Sequence, residues 1–223
     1  MTSKRPLGLP SVRLIMIAGV AGILAGAVAV YVRNMDSGNA AGGLSAASSG
    51  ACEGSVETVK SVSRFVKGEV AAMVPAQPPR PLDLRFKGPS GQDMKPADFA
   101  GKTVLLNLWA TWCGPCREEM PALNKLQKEM GGADFEVVAV NIDNGSDEKP
   151  KAFLAEYGID GLGYYRDSSM AVFNALKKEG LAFGLPVTLV MDAKGCLISA
   201  MNGPAAWDSA DGKALITAAV ERK

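Results

Sequence analysis

A chain of 223 residues suits one domain plus appendages, because single domains commonly run to about 100 to 200 residues. A hydrophobic fraction of 48% and a net charge of +1 describe an ordinary packed protein, and the 24 basic and 23 acidic residues are mixed without a long basic tract, so nothing asks for nucleic acid. With no histidine and only four cysteines, the usual metal-ligand sets are largely excluded.

Residues 1–33 stand apart from the rest. The stretch LIMIAGVAGILAGAVAVYV, 14–32, is 19 consecutive residues without a charge. That is close to the roughly 20 that a helix needs to cross about 30 Å of hydrocarbon. It reads as a membrane span or a signal peptide. Its length favours an uncleaved anchor over a cleaved signal, whose apolar core usually runs to about 7 to 15 residues, while Ala27-Val28-Ala29 offers a small-residue cleavage site. Lys4, Arg5 and Arg13 precede the stretch and only Arg33 and then Asp36 follow, so the positive-inside bias keeps the N-terminus in the cytoplasm and exports the remainder. Outside the cytoplasm disulfides persist, and four cysteines then suggest two bridges, or one bridge and one reactive pair.

Residues 34–54 are mostly small and polar (DSGNAAGGLSAASSG at 36–50) and are expected to form a flexible tether. Over 55–80 two features follow. Val56, Val59, Val62, Phe65, Val66, Val70 and Met73 recur at steps of three and four, which predicts an amphipathic helix over about 55–74. Pro75, Pro78, Pro79 and Pro81 are expected to end it and lead on as an extended linker.

The main domain, 81–223, is expected to open with a hairpin, LRFKG and QDMKP around the Pro89-Ser90-Gly91 turn. Buried strands are predicted at 103–109 (TVLLNLW) and 135–141 (FEVVAVN), joined by a helix whose apolar face shows at Met120, Leu123, Leu126 and Met130. Two strands separated by one helix make a βαβ unit with parallel pairing. Helices at 148–157 and 169–178 follow, then strands at 187–191 and 196–201 around an Asp192-Ala193-Lys194-Gly195 turn, and a last helix over 213–221.

The chemistry concentrates in WATWCGPCREEMP, 109–121. A zinc site would need four N or S ligands, and this chain has neither a second CxxC nor a histidine pair. Cu(I), which accepts two soft thiolates, could still bind the pair, so a copper metallochaperone stands as the alternative function. The redox reading places Cys113 at a helix N-terminus and Cys116 within its first turn. There the unpaired N–H groups and the helix dipole favour a Cys113 thiolate, the attacking species in disulfide exchange, with Cys116 positioned to resolve the mixed disulfide. Pro115 fits a first turn where no N–H is needed. Cys52 and Cys196 are left. A bridge between them would dock the amphipathic helix onto the domain; a second redox pair or two free thiols are the other readings.

WCGPC after an apolar strand, Pro121 inside the following helix, and the later FGLPVTLVMD resemble the thioredoxin superfamily over roughly residues 81–223. The apolar N-terminal stretch, the hairpin before the domain, WCxPCRxExP and the long interval between Asn141 and Pro186 make the chain similar to one branch, the membrane-anchored periplasmic thiol-disulfide reductases of the TlpA/ResA/CcmG type. That resemblance implies an α/β thioredoxin-like fold with an N-terminal β-hairpin and a central βα insertion, preceded by a transmembrane helix in the bacterial inner membrane. It implies no cofactor. The implied substrates are disulfides of apoproteins in cytochrome oxidase or cytochrome c assembly: a copper chaperone, oxidase subunit II or apocytochrome c. A transmembrane thiol donor would re-reduce the pair.

The resemblance also bears on single residues. Pro186 matches the family's cis-proline, beside which Leu185 offers backbone groups to a substrate strand; Trp112, Gly114 and Pro115 complete the implied binding surface. Trp109 suits plain core packing, and Pro121 a helix kink. Glu119 matches the glutamate of the branch's motif. An exposed first-turn carboxylate would merely complement the dipole; the functional reading is a proton acceptor for Cys116. It gains weight because Asn107 stands where ordinary thioredoxins carry a buried aspartate, and an amide cannot exchange that proton.

Overall fold

The computed structural model describes residues 52–221. The apolar stretch 14–32, its cleavage motif and most of the expected tether lie outside the described residues. Among the described residues no helix is long and apolar enough to cross a membrane.

An eight-stranded mixed sheet organises the domain, in the order β1 (Val74–Pro81), β8 (Cys196–Asn202), β7 (Val187–Met191), β4 (Thr103–Trp109), β5 (Phe135–Asn141), β6 (Tyr165–Arg166), β2 (Phe86–Lys87), β3 (Asp93–Met94). Its centre is β4 (Thr103–Trp109), every residue of which is buried. An apolar run covered on both faces pairs best where two neighbours satisfy its backbone. Here β5 (Phe135–Asn141) lies parallel on one side and β7 (Val187–Met191) antiparallel on the other. The intervening helix α2 (Gly114–Met130) buries Met120, Leu123 and Leu126, the apolar stripe expected from their spacing. Burying each such side chain contributes about 1.5 to 3 kcal/mol.

The hairpin comprises β2 (Phe86–Lys87) and β3 (Asp93–Met94), and β2 continues the sheet beside β6 (Tyr165–Arg166). Between β5 and β7 come α3 (Glu148–Glu156), β6 parallel to β5, and α4 (Ala171–Lys178), which together are the inserted βα segment. β8 (Cys196–Asn202) follows β7 through a tight turn in which Asp192 Oδ1 accepts the amides of Lys194 and Cys196 at 3.0 Å each. Gly195 takes a φ of 79° there, a conformation glycine adopts without strain.

Three expectations are corrected. The helix predicted over 55–74 is shorter: a 3-10 turn (Glu53–Ser55) leads into α1 (Val56–Ser63), and a second 3-10 turn covers Gly68–Val70. Gly68, at the start of that second turn, takes a φ of 52° that no continuous helix contains, and a Cβ there would lie 1.9 Å from an Asp211 carboxylate oxygen. The proline run is no linker. It forms the edge strand β1 (Val74–Pro81), antiparallel to β8, with a register shift between Pro75 and Arg80 and a cis Gln77–Pro78 bond. An edge strand accommodates proline because one row of its N–H positions has no partner to lose. The last helix, α5 (Ala210–Val220), starts before residue 213 because Ser209 Oγ caps it, accepting the Gly212 amide at 3.1 Å.

Cys52 is bonded to Cys196 with a Cα–Cα distance of 5.9 Å across a sequence separation of 144. The bridge ties the start of α1 to the start of β8, and α1 packs against α5, β1 and β8. Closing so long a loop restricts the unfolded chain by about 5 kcal/mol in the entropy model, less any native strain. Replacing both Cys52 and Cys196 by serine is therefore expected to lower the unfolding free energy by about 2 to 5 kcal/mol in equilibrium urea denaturation. A double variant as stable as the parent would show that the bridge adds nothing.

Candidate active site

Strand β4 delivers the site. Beyond Trp109, which is fully buried, the chain turns through Ala110 and Thr111. The buried carboxylate of Asp143 clamps that turn: it accepts the Thr111 amide at 2.9 Å, the Thr111 hydroxyl at 2.7 Å and Asn141 Nδ2 at 2.6 Å. Trp112 then projects to solvent with 63% of its surface exposed, as a platform beside the cysteines.

Cys113 is the N-cap of α2, extended at φ −90° and ψ 104°, and its Sγ accepts the Cys116 amide at 3.2 Å. Gly114 and Pro115 form the first helical positions. Two residues between the cysteines close the ring, with an S–S distance of 2.03 Å and Cα atoms 5.3 Å apart. Cys113 retains 6% exposure and Cys116 none, so an incoming sulfur meets Cys113 first. The amide that now meets Cys113 Sγ and the dipole of a 17-residue helix face the same sulfur when it is reduced and negative.

The β4–β7 register sets the opposite wall. Leu108 pairs with Val187, so Pro186 lies across from the end of β4 that leads to the cysteines. The Leu185–Pro186 bond is cis. Leu185 is half-buried, and Phe183 nearby is 82% exposed. On the other flank, Gly114, Arg117, Glu118, Pro121 and Tyr157 line a shallow groove. The Arg117 guanidinium lies 5.7 Å from the Phe153 ring centre and donates to the Tyr157 hydroxyl at 3.1 Å. Pro121 sits within α2.

Glu119 departs from the picture of an exposed first-turn carboxylate. It lies in the second turn, 3% exposed, one turn beyond Cys116 on the same helix face. Three donors converge on it: Asn107 Nδ2 reaches Oε1 at 2.7 Å, while the Ala205 amide and Trp207 Nε1 reach Oε2 at 3.1 and 3.2 Å. Burial disfavours the charge and pushes the carboxyl up to about 7, against the opposing pull of those hydrogen bonds. It borders a hollow lined by Glu69, Glu118, Ala122 and Pro204 to Ala206. Ala205 and Trp207 carry no local motif, and Asp143 and Thr188 read as ordinary strand-end and strand residues; sequence spacing does not reveal any of the four. Among the described residues no group of three or more Cys, Asp or Glu is arranged to hold a metal ion.

Known proteins resemble this chain in sequence and fold. The thioredoxin-like protein YneN of Bacillus subtilis (strain 168) is 36% identical over 141 residues, covering 60% of this chain and 74% of its own. The thiol-disulfide oxidoreductase ResA of Bacillus thuringiensis subsp. konkukian (strain 97-27) is 38% identical over 113 residues, 51% of this chain and 62% of its own, so the match spans less than two thirds of that relative. A crystal structure described as a thiol:disulfide interchange protein DsbE from Chlorobium tepidum superposes with a TM-score of 0.53 at 29% identity, covering 62% of this chain and 93% of that one. The family model for Redoxin matches residues 76–216. The chain therefore belongs to the Redoxin family, as a thioredoxin-fold thiol-disulfide oxidoreductase similar to ResA, with Cys113–Cys116 as its redox-active disulfide.

Proposed function

We propose that this protein is a membrane-anchored periplasmic reductase that passes electrons to disulfides of apoproteins in cytochrome oxidase or cytochrome c assembly. The single observation that carries the chemistry is a cysteine capping a helix, 6% exposed, bonded to a fully buried one three residues on. The charge-free stretch 14–32 with its basic N-terminal flank supports the anchor and the orientation. Similarity to ResA and to a DsbE-type structure supports the substrate class, and a Gly-Pro pair between the cysteines supports electron donation.

Two displacements make up the turnover. The Cys113 thiolate attacks a target disulfide, forming a Cys113–target bond and releasing one target thiolate. Glu119 accepts the proton of Cys116, and the Cys116 thiolate attacks Cys113 Sγ, forming the internal disulfide and releasing the second target thiolate, which is then protonated. Two electrons have moved from the pair to the target. A transmembrane thiol donor returns them. A carboxyl near 7 suits this shuttle, since an acid–base group works best with a pKa near ambient pH.

Cys116→Ser is expected to accumulate covalent Cys113–target complexes on non-reducing gels; their absence when target is supplied would refute the order of attack. The couple is expected to equilibrate nearer the roughly −270 mV of thioredoxin than the roughly −120 mV of DsbA, and the latter value would make the protein an oxidant. Glu119→Gln is expected to slow release of the mixed disulfide about 100-fold at neutral pH and to remove the inflection near pH 7 from its rate profile. Stability carries the same signature. The folded chain binds the Glu119 proton more tightly than the unfolded chain, so this contribution is complete below pH 4.5 and is lost as pH rises towards 7. Relative to Glu119→Gln, the parent should lose about 3 kcal/mol across that window in denaturant titrations.

A further inference from the structure

Asn107 is completely buried in the middle of β4, and its side chain is bonded on one side only. Nδ2 donates to Glu119 Oε1 at 2.7 Å and to Thr188 Oγ1 at 2.9 Å, whereas Oδ1 is buried without a hydrogen-bond partner. Leaving a buried acceptor unmade is costly, because the hydration it loses is not replaced. A leucine would avoid that cost. The amide therefore invites an explanation in terms of a second arrangement in which its oxygen is used.

The donors around Glu119 indicate what that arrangement is. Oε2 faces the Ala205 amide and the Trp207 indole N–H, neither of which can accept a proton. A proton added to the carboxylate thus belongs on Oε1, the oxygen that faces Asn107. With the amide as it stands, an acid O–H directed at Asn107 meets Nδ2, a donor. Rotated by half a turn about its last bond, the amide instead presents Oδ1, which accepts from Glu119. The Thr188 hydroxyl, an acceptor in the present arrangement, can turn to donate to the same oxygen. The unpaired position on the far side then passes from the oxygen to the amide nitrogen.

We propose that Asn107 is a positioning residue that turns over with the protonation of Glu119, its Nδ2 facing the carboxylate and its Oδ1 facing the acid. Resting on the reading of Glu119 as proton acceptor, this gives each protonation state a hydrogen-bond partner at Oε1 and directs the proton to that oxygen. Thr188 extends the switch to β7, two residues beyond the cis-proline at the binding wall. The other titratable groups facing Glu119 are Cys116 one turn back on α2, and Glu69 and Glu118 at the hollow; Asp208, in the same loop as Trp207, is tied to Lys125 at 2.9 Å.

Nuclear magnetic resonance of the full-length oxidised protein in detergent micelles, isotope-labelled at Asn, Glu and Thr, tests it over a titration from about pH 5 to 9. Cross-peaks between the Asn107 side-chain amide protons and Thr188 are expected to be strong above the Glu119 midpoint. Below it they should weaken several-fold, with the same midpoint as the Glu119 carboxyl carbon. In Glu119→Gln the side-chain oxygen must take the place between Ala205 and Trp207, so its amide faces Asn107, and the low-pH pattern should persist at every pH. Asn107 contacts that stay constant while Glu119 titrates, or a Glu119→Gln spectrum with the parent's high-pH pattern, would overturn the switch. Either result leaves intact the role of Glu119 in releasing the mixed disulfide, which the rate measurement above judges separately.

Discussion

The pairing of β4 between β5 and β7 is the constraint on which the site depends. Its registers place Asn107 opposite Thr188 on one side and Ala139 on the other, and bring Val187 opposite Leu108. One strand thereby positions the buried amide, the turn that delivers Cys113 and the wall carrying Pro186. A slip of one residue would carry every side chain to the opposite face, taking Asn107 away from Thr188 and Glu119, and is opposed. Five apolar side chains of β4, from Val104 to Trp109, hold the register at about 1.5 to 3 kcal/mol each.

Against that apolar background the polar inclusions stand out as costly. Glu119 is taken out of water next to the core, and its three hydrogen bonds only partly offset the loss of hydration, which is why its carboxyl rises to about 7. A group tuned only for stability would not sit there. A group that must trade a proton with a neighbouring thiol at neutral pH is helped by that compromise. Asp143 shows the other use of a buried carboxylate: its three hydrogen bonds, two of them to Thr111, fix the turn before Trp112.

The N-terminal part of the described chain is integrated into the same fold. Strand β1 extends the sheet beyond β8, α1 packs on β1, β8 and α5, and the Cys52–Cys196 bond closes the connection. The redox pair and this second disulfide thus have separate neighbourhoods. One joins the N-cap of α2 to a residue three further on in its first turn; the other joins segments 144 apart in buried surroundings.

Local pattern determined much of this protein. The runs TVLLNLW, FEVVAVN and VTLVM specify buried strands, the three-and-four spacing after Cys116 specifies α2, and the two-residue gap in Cys-Gly-Pro-Cys specifies a closed ring at a helix start, because each depends on residues within a few positions of one another. Helix and strand limits were less legible where distant neighbours decided them: Gly68 takes a positive φ with Asp211 packed against it, so the segment after α1 is a separate turn, and the prolines of β1 become a strand because β8 offers them an edge. Only the tertiary structure decided the state of Glu119. Its helical position admits either an exposed or a buried side chain, and burial raises the carboxyl to about 7 against the pull of donors 12, 86 and 88 residues away in sequence.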